Sequence, residues 1–343
     1  MANETSTSPP ILTRWYIDTR PLTLSTTALP LLTTLQEPDQ TAVQKFYHLK
    51  DKHMSLASNL LKYLFIHRTC RVPWSSIVIS RTPDPHRRPC FIPDPSQSDR
   101  NPMNIEFNVS HQASMVAIAG TTVPANLSVG GKHAKPEVGI DITCVNERQG
   151  RSGEERNLAS LYKYLDIFSE VFSEGEIEGM KRLHGAPSSS SSSNTITGSS
   201  DDRLAEYGYR LLYTYWALKE AYIKMTGEAL LASWLRELEF SNVIAPAPAA
   251  ETGEGIFGEP YTGVKTTLNK NNVDDVRIEV VALESNYLFA TAARGGSIGA
   301  GSRPDESEAR SEDQDQDPWM PFKKLDIERD IRPCATGVCS CVS

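Results

Sequence analysis

Between Arg203 and Thr226 the residues Leu204, Leu211, Leu212, Tyr215, Leu218 and Tyr222 recur at helical spacing, and Gly227 follows where helices often end in a left-handed residue. No other stretch is as regular. The segment is therefore predicted to be a long amphipathic helix whose apolar stripe must be covered by a second layer. At 343 residues the chain is long enough for more than one such arrangement, about two compact units at roughly 100–200 residues each.

Weaker patterns surround this helix. Leu56, Leu60, Leu61, Leu64 and Phe65, after the polar run Lys50 to His53, predict a helix over 41–68. Ser76 to Ser80 reads as a short strand entering a Pro-rich loop with Arg87, Arg88 and Pro89, and Phe107 to Gln112 reads as a turn before a strand at Met115 to Ala119. Val138 to Ile142 is a further predicted strand. Leu161, Leu165, Phe168 and Phe172 give helical periodicity within 158–183, and Val276 to Leu283 and Tyr287 to Ala293 read as two strands paired around Glu284 to Asn286.

The segments between these elements set the expected domain plan. Residues 124–136 are rich in Gly, Lys and Asn without periodicity, which places a boundary near 133. The uninterrupted tract Ser188 to Ser193 has no apolar surface to bury, so 185–202 is expected to be a disordered insertion. Residues 295–317 read as a solvated linker and 318–331 as a short apolar and charged segment that docks back onto the body. The plan is thus an N-terminal half over 1–132, a C-terminal half over 133–294 and an extension over 295–343.

Charge and composition exclude several classes. The net charge of −8 argues against a nucleic-acid binder, although the stretch Asp305 to Asp317, with seven acidic residues and one Arg, supplies most of it. The rest is close to neutral, and Lys45, Lys50, Lys52, Arg87 and Arg88 leave local positive sites for an anionic ligand. A hydrophobic fraction of 39% and a charged fraction of 23% are ordinary for a soluble globular protein. Neither a basic and apolar leader nor a run of 18 apolar residues occurs, so neither secretion nor a membrane role is expected. Cys70, Cys90, Cys144, Cys334, Cys339 and Cys341 contain no CxxC pair and no spacing that points to a disulfide framework or a zinc site, which fits a reducing, cytoplasmic setting. The ending Cys341-Val342-Ser343 is one residue too short for a prenylation box.

Three motifs carry chemistry. Asp141, in Gly139-Ile140-Asp141-Ile142, is an acid between apolar residues, costly there unless hydrogen-bonded, paired or metal-bound; it could equally cap a loop at a strand end. In Trp216 to Lys224, Glu220 and Lys224 are four apart on one helix face. They read either as an exposed ion pair, worth about 0.3–0.5 kcal/mol, or as a metal-binding carboxylate beside a phosphate-binding ammonium. Asn108, Ser110, His111 and Gln112 offer hydrogen-bonding groups to phosphate oxygens, or form a turn with a structural histidine. Adjacent Ser110 and His111 are poorly placed for a Ser-His-Asp triad.

In order and spacing these motifs resemble those of the Sfp-type 4′-phosphopantetheinyl transferases. That family shows an (F)N(I/V)SH element, here Phe107 to His111, then a (V)GID element, here Val138 to Asp141, then a WxxKExxxK helix, here Trp216 to Lys224. Lys45-Phe46-Tyr47-His48 and Arg88-Pro89 resemble two further family elements, and the likeness spans roughly residues 11–293, most closely that of the broad-range enzymes of filamentous fungi. Two positions depart from the bacterial pattern: Thr143 stands where a metal-binding Glu is usual, and Met54 stands for an Arg.

The resemblance implies an α/β (α+β) fold of two pseudo-symmetric halves, a monomeric pseudo-dimer with coenzyme A in the cleft between them. It implies transfer of the phosphopantetheine arm to a serine of apo carrier proteins of fatty acid, polyketide and nonribosomal peptide synthases or of aminoadipate reductase. Mg²⁺ is expected on Asp141 and Glu220, with Gln112 standing in for the missing Glu. Lys224 is expected at the leaving group, and Lys45, Lys50, Arg88, Ser110, His111 and Lys219 at the phosphates of coenzyme A. A non-catalytic coenzyme A or carrier-protein binding module is the alternative, disfavoured by the joint presence of Asp141, Glu220 and Lys224. The chain lacks GxxxxGK[ST] and GxGxxG, which counts against other nucleotide enzymes.

Overall fold

A computed structural model describes residues 10–84, 86–93, 104–124, 134–147, 155–187, 200–228, 232–249, 255–303 and 316–342. In chain order the elements are β1 (Thr13–Asp18), α1 (Arg20–Ser25), α2 (Glu37–Gln44), α3 (Leu49–Cys70), β2 (Ile79–Arg81), β3 (Pro89–Phe91), β4 (Ile105–Gln112), β5 (Met115–Thr122) and β6 (Glu137–Cys144). They continue with α4 (Leu158–Ile167), α5 (Glu174–Lys181), α6 (Ser200–Thr226), β7 (Leu238–Ser241), β8 (Lys265–Leu268), β9 (Asn271–Asn272), β10 (Val276–Leu283), β11 (Tyr287–Arg294), β12 (Lys323–Lys324) and α7 (Arg332–Ala335). Contacts divide the chain into two units, Met1–Gly139 with Asp275–Arg277 and Ala293–Ser343, and Ile140–Asp274 with Ile278–Ala292.

In the first unit α3 lies against a sheet of order β12-β1-β5-β4. Leu56, Leu60, Leu61 and Leu64 are fully buried, as the predicted stripe requires, and Phe65 meets Trp15 and Phe107 at ring-centroid distances of 6.0 and 5.9 Å. The helix approaches β5 so closely that a Cβ on Gly120 would stand 2.5 Å from Phe65 Cζ, so only glycine fits there. Strands β4 and β5 are antiparallel in register Gln112↔Met115, and the two residues between them, Ala113 and Ser114, have φ of 46° and 73°. These left-handed values make a tight two-residue hairpin turn.

The helix expected over 41–68 is broken at residues 45–48. Phe46 and Tyr47 find no core partner at helical spacing and stand 44% and 91% exposed, and extended His48 opens α3. Residues 107–112, expected to be a turn, are strand: Phe107 faces the core while polar neighbours alternate with it, and the turn falls at the left-handed pair 113–114. The strand expected at 76–80 is confined to Ile79–Arg81, preceded by a 3-10 turn over Trp74–Ser76. The linker expected over 295–317 is only partly solvated at its described ends, with Ser297, Ala300, Gly301, Arg303 and Gln316 exposed and Gly296, Ile298 and Gly299 buried. Ile298 is fully buried, its carbonyl accepts from Trp319 Nε1 at 2.8 Å, and Asp317 pairs with Arg277 at 2.7 Å. Beyond it, Leu325, Ile327, Ile331 and Cys334 join the core around α3, and β12 runs parallel to β1.

The second unit holds most of the sheet ordered β10-β11-β6, a small sheet ordered β7-β8-β9, and α4, α5 and α6. The helix expected over 158–183 is two helices, because Ser173 accepts from the Glu176 N–H while the Glu176 side chain accepts from the Ser173 N–H, a reciprocal cap that starts α5 afresh. Helix α6 begins at Ser200 and ends at Gly227, whose φ of 83° is the left-handed conformation anticipated for it. The boundary expected near 133 and residues 188–199 of the expected insertion lie outside the described residues; 200–202 form the first turn of α6.

Candidate active site

Helix α6 is buried on most of its circumference. From Gly208 to Met225 the residues not fully buried are Tyr213, Trp216, Glu220 and Lys224, spaced three or four apart along one narrow stripe. Glu220 and Lys224 are thus carried on a rigid element whose other faces lock it in place. Edge contacts from Phe168 and Phe172 to Trp216, at 5.6 and 6.5 Å, pin the helix one turn before Glu220.

The third residue of this cluster comes from β6. Asp141 and Thr143 are two apart in a strand and so share a face, and the Thr143 hydroxyl donates to Asp141 Oδ2 at 2.8 Å. Lys224 Nζ donates to Asp141 Oδ1 at 2.6 Å, which ties β6 to α6. Asp141 is only 5% exposed, so both of its oxygens have charged or polar partners, as a buried carboxylate requires. Burial pushes the Glu220 carboxyl up to about 7; Lys224 opposes the rise and the Asp141 charge adds to it. Glu220 is therefore poised to hold or release a proton near neutral pH, the condition under which general acid–base groups act best.

The remaining predicted residues divide between the units. Ser110, His111 and Gln112 lie on β4 of the first unit, with Ser110 buried, His111 exposed and Gln112 half-buried. Lys45, after α2, and Lys50, in the first turn of α3, are exposed in the same unit. Arg88 Nη2 pairs with Glu106 Oε1 at 2.6 Å and donates to the Val138 carbonyl at 3.0 Å. Met54 Sδ accepts from the Ser114 N–H at 3.2 Å, bracing the hairpin that follows Gln112.

Two parts of the chain match known families. Residues 24–123 match the family described as "4'-phosphopantetheinyl transferase, N-terminal", and residues 137–281 match the "4'-phosphopantetheinyl transferase superfamily". The chain is 70% identical to 4'-phosphopantetheinyl transferase NpgA of Emericella nidulans over the whole of both chains. It belongs to the 4′-phosphopantetheinyl transferases. It is also 57% identical to 4'-phosphopantetheinyl transferase A of Aspergillus fumigatus, over 97% of this chain and 96% of that one. To the L-aminoadipate-semialdehyde dehydrogenase-phosphopantetheinyl transferase of Pongo abelii it is 26% identical, over 76% of this chain and 67% of that one. The two mixed helix and sheet units are the two parts of the phosphopantetheinyl transferase fold implied by the motifs.

In this phosphopantetheinyl transferase the structure corrects one assignment on the catalytic helix. Lys219, expected at the phosphates, is 1% exposed and its ammonium is used inside the second unit: Nζ meets Glu176 Oε2 at 2.9 Å and donates to the carbonyls of Leu235 at 3.0 Å and Leu238. Its position one residue before Glu220 turns it about 100° away from the Glu220 stripe. The Ser-x-x-Glu pattern at 173–176 is the signal by which its partner Glu176 could have been found. Two other contacts were not foreseen. Thr143 hydrogen-bonds Asp141 and so orients it, and Glu106 already neutralises Arg88. Burial raises the Glu106 carboxyl, with Arg88 opposing.

Proposed function

We propose that this transferase moves the 4′-phosphopantetheine arm of coenzyme A onto a serine of apo carrier proteins, with Asp141 and Glu220 holding Mg²⁺ and Glu220 accepting the serine proton. The observation that carries this reading is the Glu220 carboxyl, pushed up to about 7 beside Asp141 and Lys224. Two neighbouring carboxylates, one of them resisting ionisation partly because of the other, form a hard oxygen donor set that fits Mg²⁺. When bound there, Mg²⁺ would supply positive charge to the pyrophosphate oxygens of coenzyme A.

The protein's own groups account for the rest. Deprotonated Glu220 takes the proton of the serine hydroxyl, directly or through water, as the serine oxygen bonds to the β-phosphorus. The bond from that phosphorus to the bridging oxygen breaks, and 3′,5′-ADP leaves with the electron pair. Lys224 stabilises the charge on that leaving group, while Thr143 and Lys224 hold Asp141 in one orientation. We assign Gln112 to the metal, and Lys45, Lys50, Arg88, Ser110 and His111 to the coenzyme A phosphates, on the family resemblance. Among these, exposed Lys45 and Lys50 are the stronger phosphate candidates, since Arg88 is already paired with Glu106.

The name of the Pongo abelii relative supports an aminoadipate-semialdehyde dehydrogenase (the aminoadipate reductase) among the acceptors, and carrier domains of fatty acid, polyketide and nonribosomal peptide synthases are proposed on the family resemblance. A cytoplasmic monomer is the proposed form, and six cysteines without a disulfide support the reducing compartment. No described helix is long and apolar enough to cross a membrane.

The test is incubation with coenzyme A and each apo carrier domain, with Mg²⁺ or with EDTA, followed by intact mass spectrometry. The carriers should gain one phosphopantetheine arm with Mg²⁺ and none with EDTA. No gain on any carrier that a control transferase does modify would favour a non-catalytic binding module, and an equal gain in EDTA would remove the metal from the account.

A further inference from the structure

The four side chains His67, Cys334, Cys339 and Cys341 converge in the first unit, with their ligating atoms all within 4.8 Å of one another. The spacing of the cysteines alone does not point to this cluster, because its fourth member, His67, lies on α3. His67 sits in the last turns of α3, Cys334 in α7, and Cys339 and Cys341 in the turn that follows. We propose that these four residues are a structural zinc site that fastens the C-terminal segment to α3.

The geometry fits a tetrahedral ion. Zinc with Zn–S of about 2.3 Å and Zn–N of about 2.0–2.1 Å separates its ligand atoms by roughly 3.6–3.8 Å. Cys334 Sγ and Cys341 Sγ, 3.8 Å apart, already stand at that separation, whereas His67 Nε2 and Cys339 Sγ, in hydrogen-bond contact at 3.1 Å, have to open by about half an ångström to admit the ion. One imidazole and three thiols are soft and borderline donors that select zinc over the hard cation proposed for Asp141 and Glu220. Four protein ligands with no position left open are the composition of a structural site rather than a catalytic one.

The surroundings orient the histidine for metal binding, while burial pushes the Cys334 thiol up to about 12, so a bound ion has to displace its proton. His67 Nδ1 lies 2.7 Å from the Val72 carbonyl, so Nδ1 carries the proton and donates it there, which leaves the Nε2 lone pair turned toward the sulfurs. Arg68 hydrogen-bonds the Cys334 sulfur and donates from Nη2 to the Asp330 carbonyl at 2.7 Å, placing a positive charge beside what would be three thiolates. A disulfide between Cys334 and Cys341 would make no use of Cys339 or of the oriented histidine.

The site also answers a stability problem. Helix α7 continues the π-helical turn Ile327–Ile331, and together they remain below the length at which an isolated helix persists while carrying Ile331 and Cys334 in the core. A metal bridging residues 272 apart in sequence, His67 and Cys339, pins that end of the chain to the longest helix of its unit.

The experiment uses the full chain, purified under reducing conditions without chelator, with elemental analysis for transition metals. About one zinc per chain is expected, as for a closed four-ligand site. The double variant Cys339→Ser/Cys341→Ser, at two half-buried positions, should lose that zinc. For the unaltered protein, stripping with a zinc chelator should lower Tm, and added Zn²⁺ but not Mg²⁺ should restore it. Replacement by Co²⁺ should give the intense visible bands of a tetrahedral thiolate site. Zinc-free protein that takes up none on reconstitution would overturn the proposal, as would zinc retained in full by the double variant or a Cys334–Cys341 disulfide in peptide maps of reduced-purified protein.

Discussion

Lys224 donates to Asp141 across 2.6 Å, so the cation at the last turns of α6 and the acid of β6 hold each other in place while Glu220, one helical turn earlier, shares their field. Asp141, distant in the chain, thus joins two neighbours on one helix face in a single electrostatic group. A change at any of them alters the other two.

The first consequence concerns pH. In the proposed mechanism Glu220 is ionised both to accept a proton and to bind a cation, and burial holds its carboxyl at about 7. Transfer at limiting Mg²⁺ should therefore rise between about pH 6 and 8, and the apparent Mg²⁺ affinity should tighten over the same range because protons and metal compete. Lys224→Met removes the charge that lowers this carboxyl, so the rising limb should move to higher pH. Initial rates across a Mg²⁺ and pH grid check both effects.

Stability should respond in the opposite sense. A carboxyl whose folded value is raised from 4.5 to about 7 favours the folded state below pH 4.5 and loses that contribution as pH rises through 7. Glu220→Gln cannot ionise. Its Tm should match that of the unaltered protein near pH 4 and exceed it near pH 8 when both are metal-free, as measured by scanning calorimetry.

The buried pair Lys219–Glu176 gives a prediction about folding rather than chemistry. With the side chains 1% and 0% exposed, Lys219→Met leaves an uncompensated buried charge and should cost about 3–5 kcal/mol in urea unfolding. Adding Glu176→Gln should recover much of that loss. Folded Lys219→Met should bind coenzyme A as the unaltered protein does, since its ammonium faces Leu235 and Leu238.

How far the sequence anticipated this arrangement depended on regularity. Asp141, Glu220 and Lys224 stand on a strand and a helix whose periods are clear, so their shared faces could be read from spacing. Lys219 could not be placed, because α6 is covered on most sides and a lysine at an inward position looks, in sequence, like one on the surface. The strand at 107–112 was hidden because its turn uses Ala113 and Ser114 rather than Asn or Gly at left-handed positions. The His67 and cysteine cluster was hidden by a separation of 272 residues between His67 and Cys339, which no local pattern spans.

Gln112 follows His111 on β4 and is assigned to the metal in place of the carboxylate that Thr143 lacks. Gln112→Ala should weaken Mg²⁺ activation by about 10–100-fold while coenzyme A binding without metal stays unchanged. Thr143→Glu in that background should recover part of the loss, since position 143 shares the Asp141 face of β6. Mg²⁺ titrations of the transfer rate in the three proteins distinguish this from a purely structural Gln112, which would leave the Mg²⁺ dependence unaltered.

The most direct test of the account is the single-turnover rate of Glu220→Gln at saturating coenzyme A, carrier and Mg²⁺, near pH 8 where the carboxyl is ionised in the unaltered enzyme. Loss of the proton acceptor predicts a fall of about 10²–10⁴-fold with the fold and coenzyme A binding retained. A rate within a few-fold of the unaltered enzyme would contradict the assignment of Glu220, and with it the Asp141–Glu220–Lys224 cluster as the seat of the reaction.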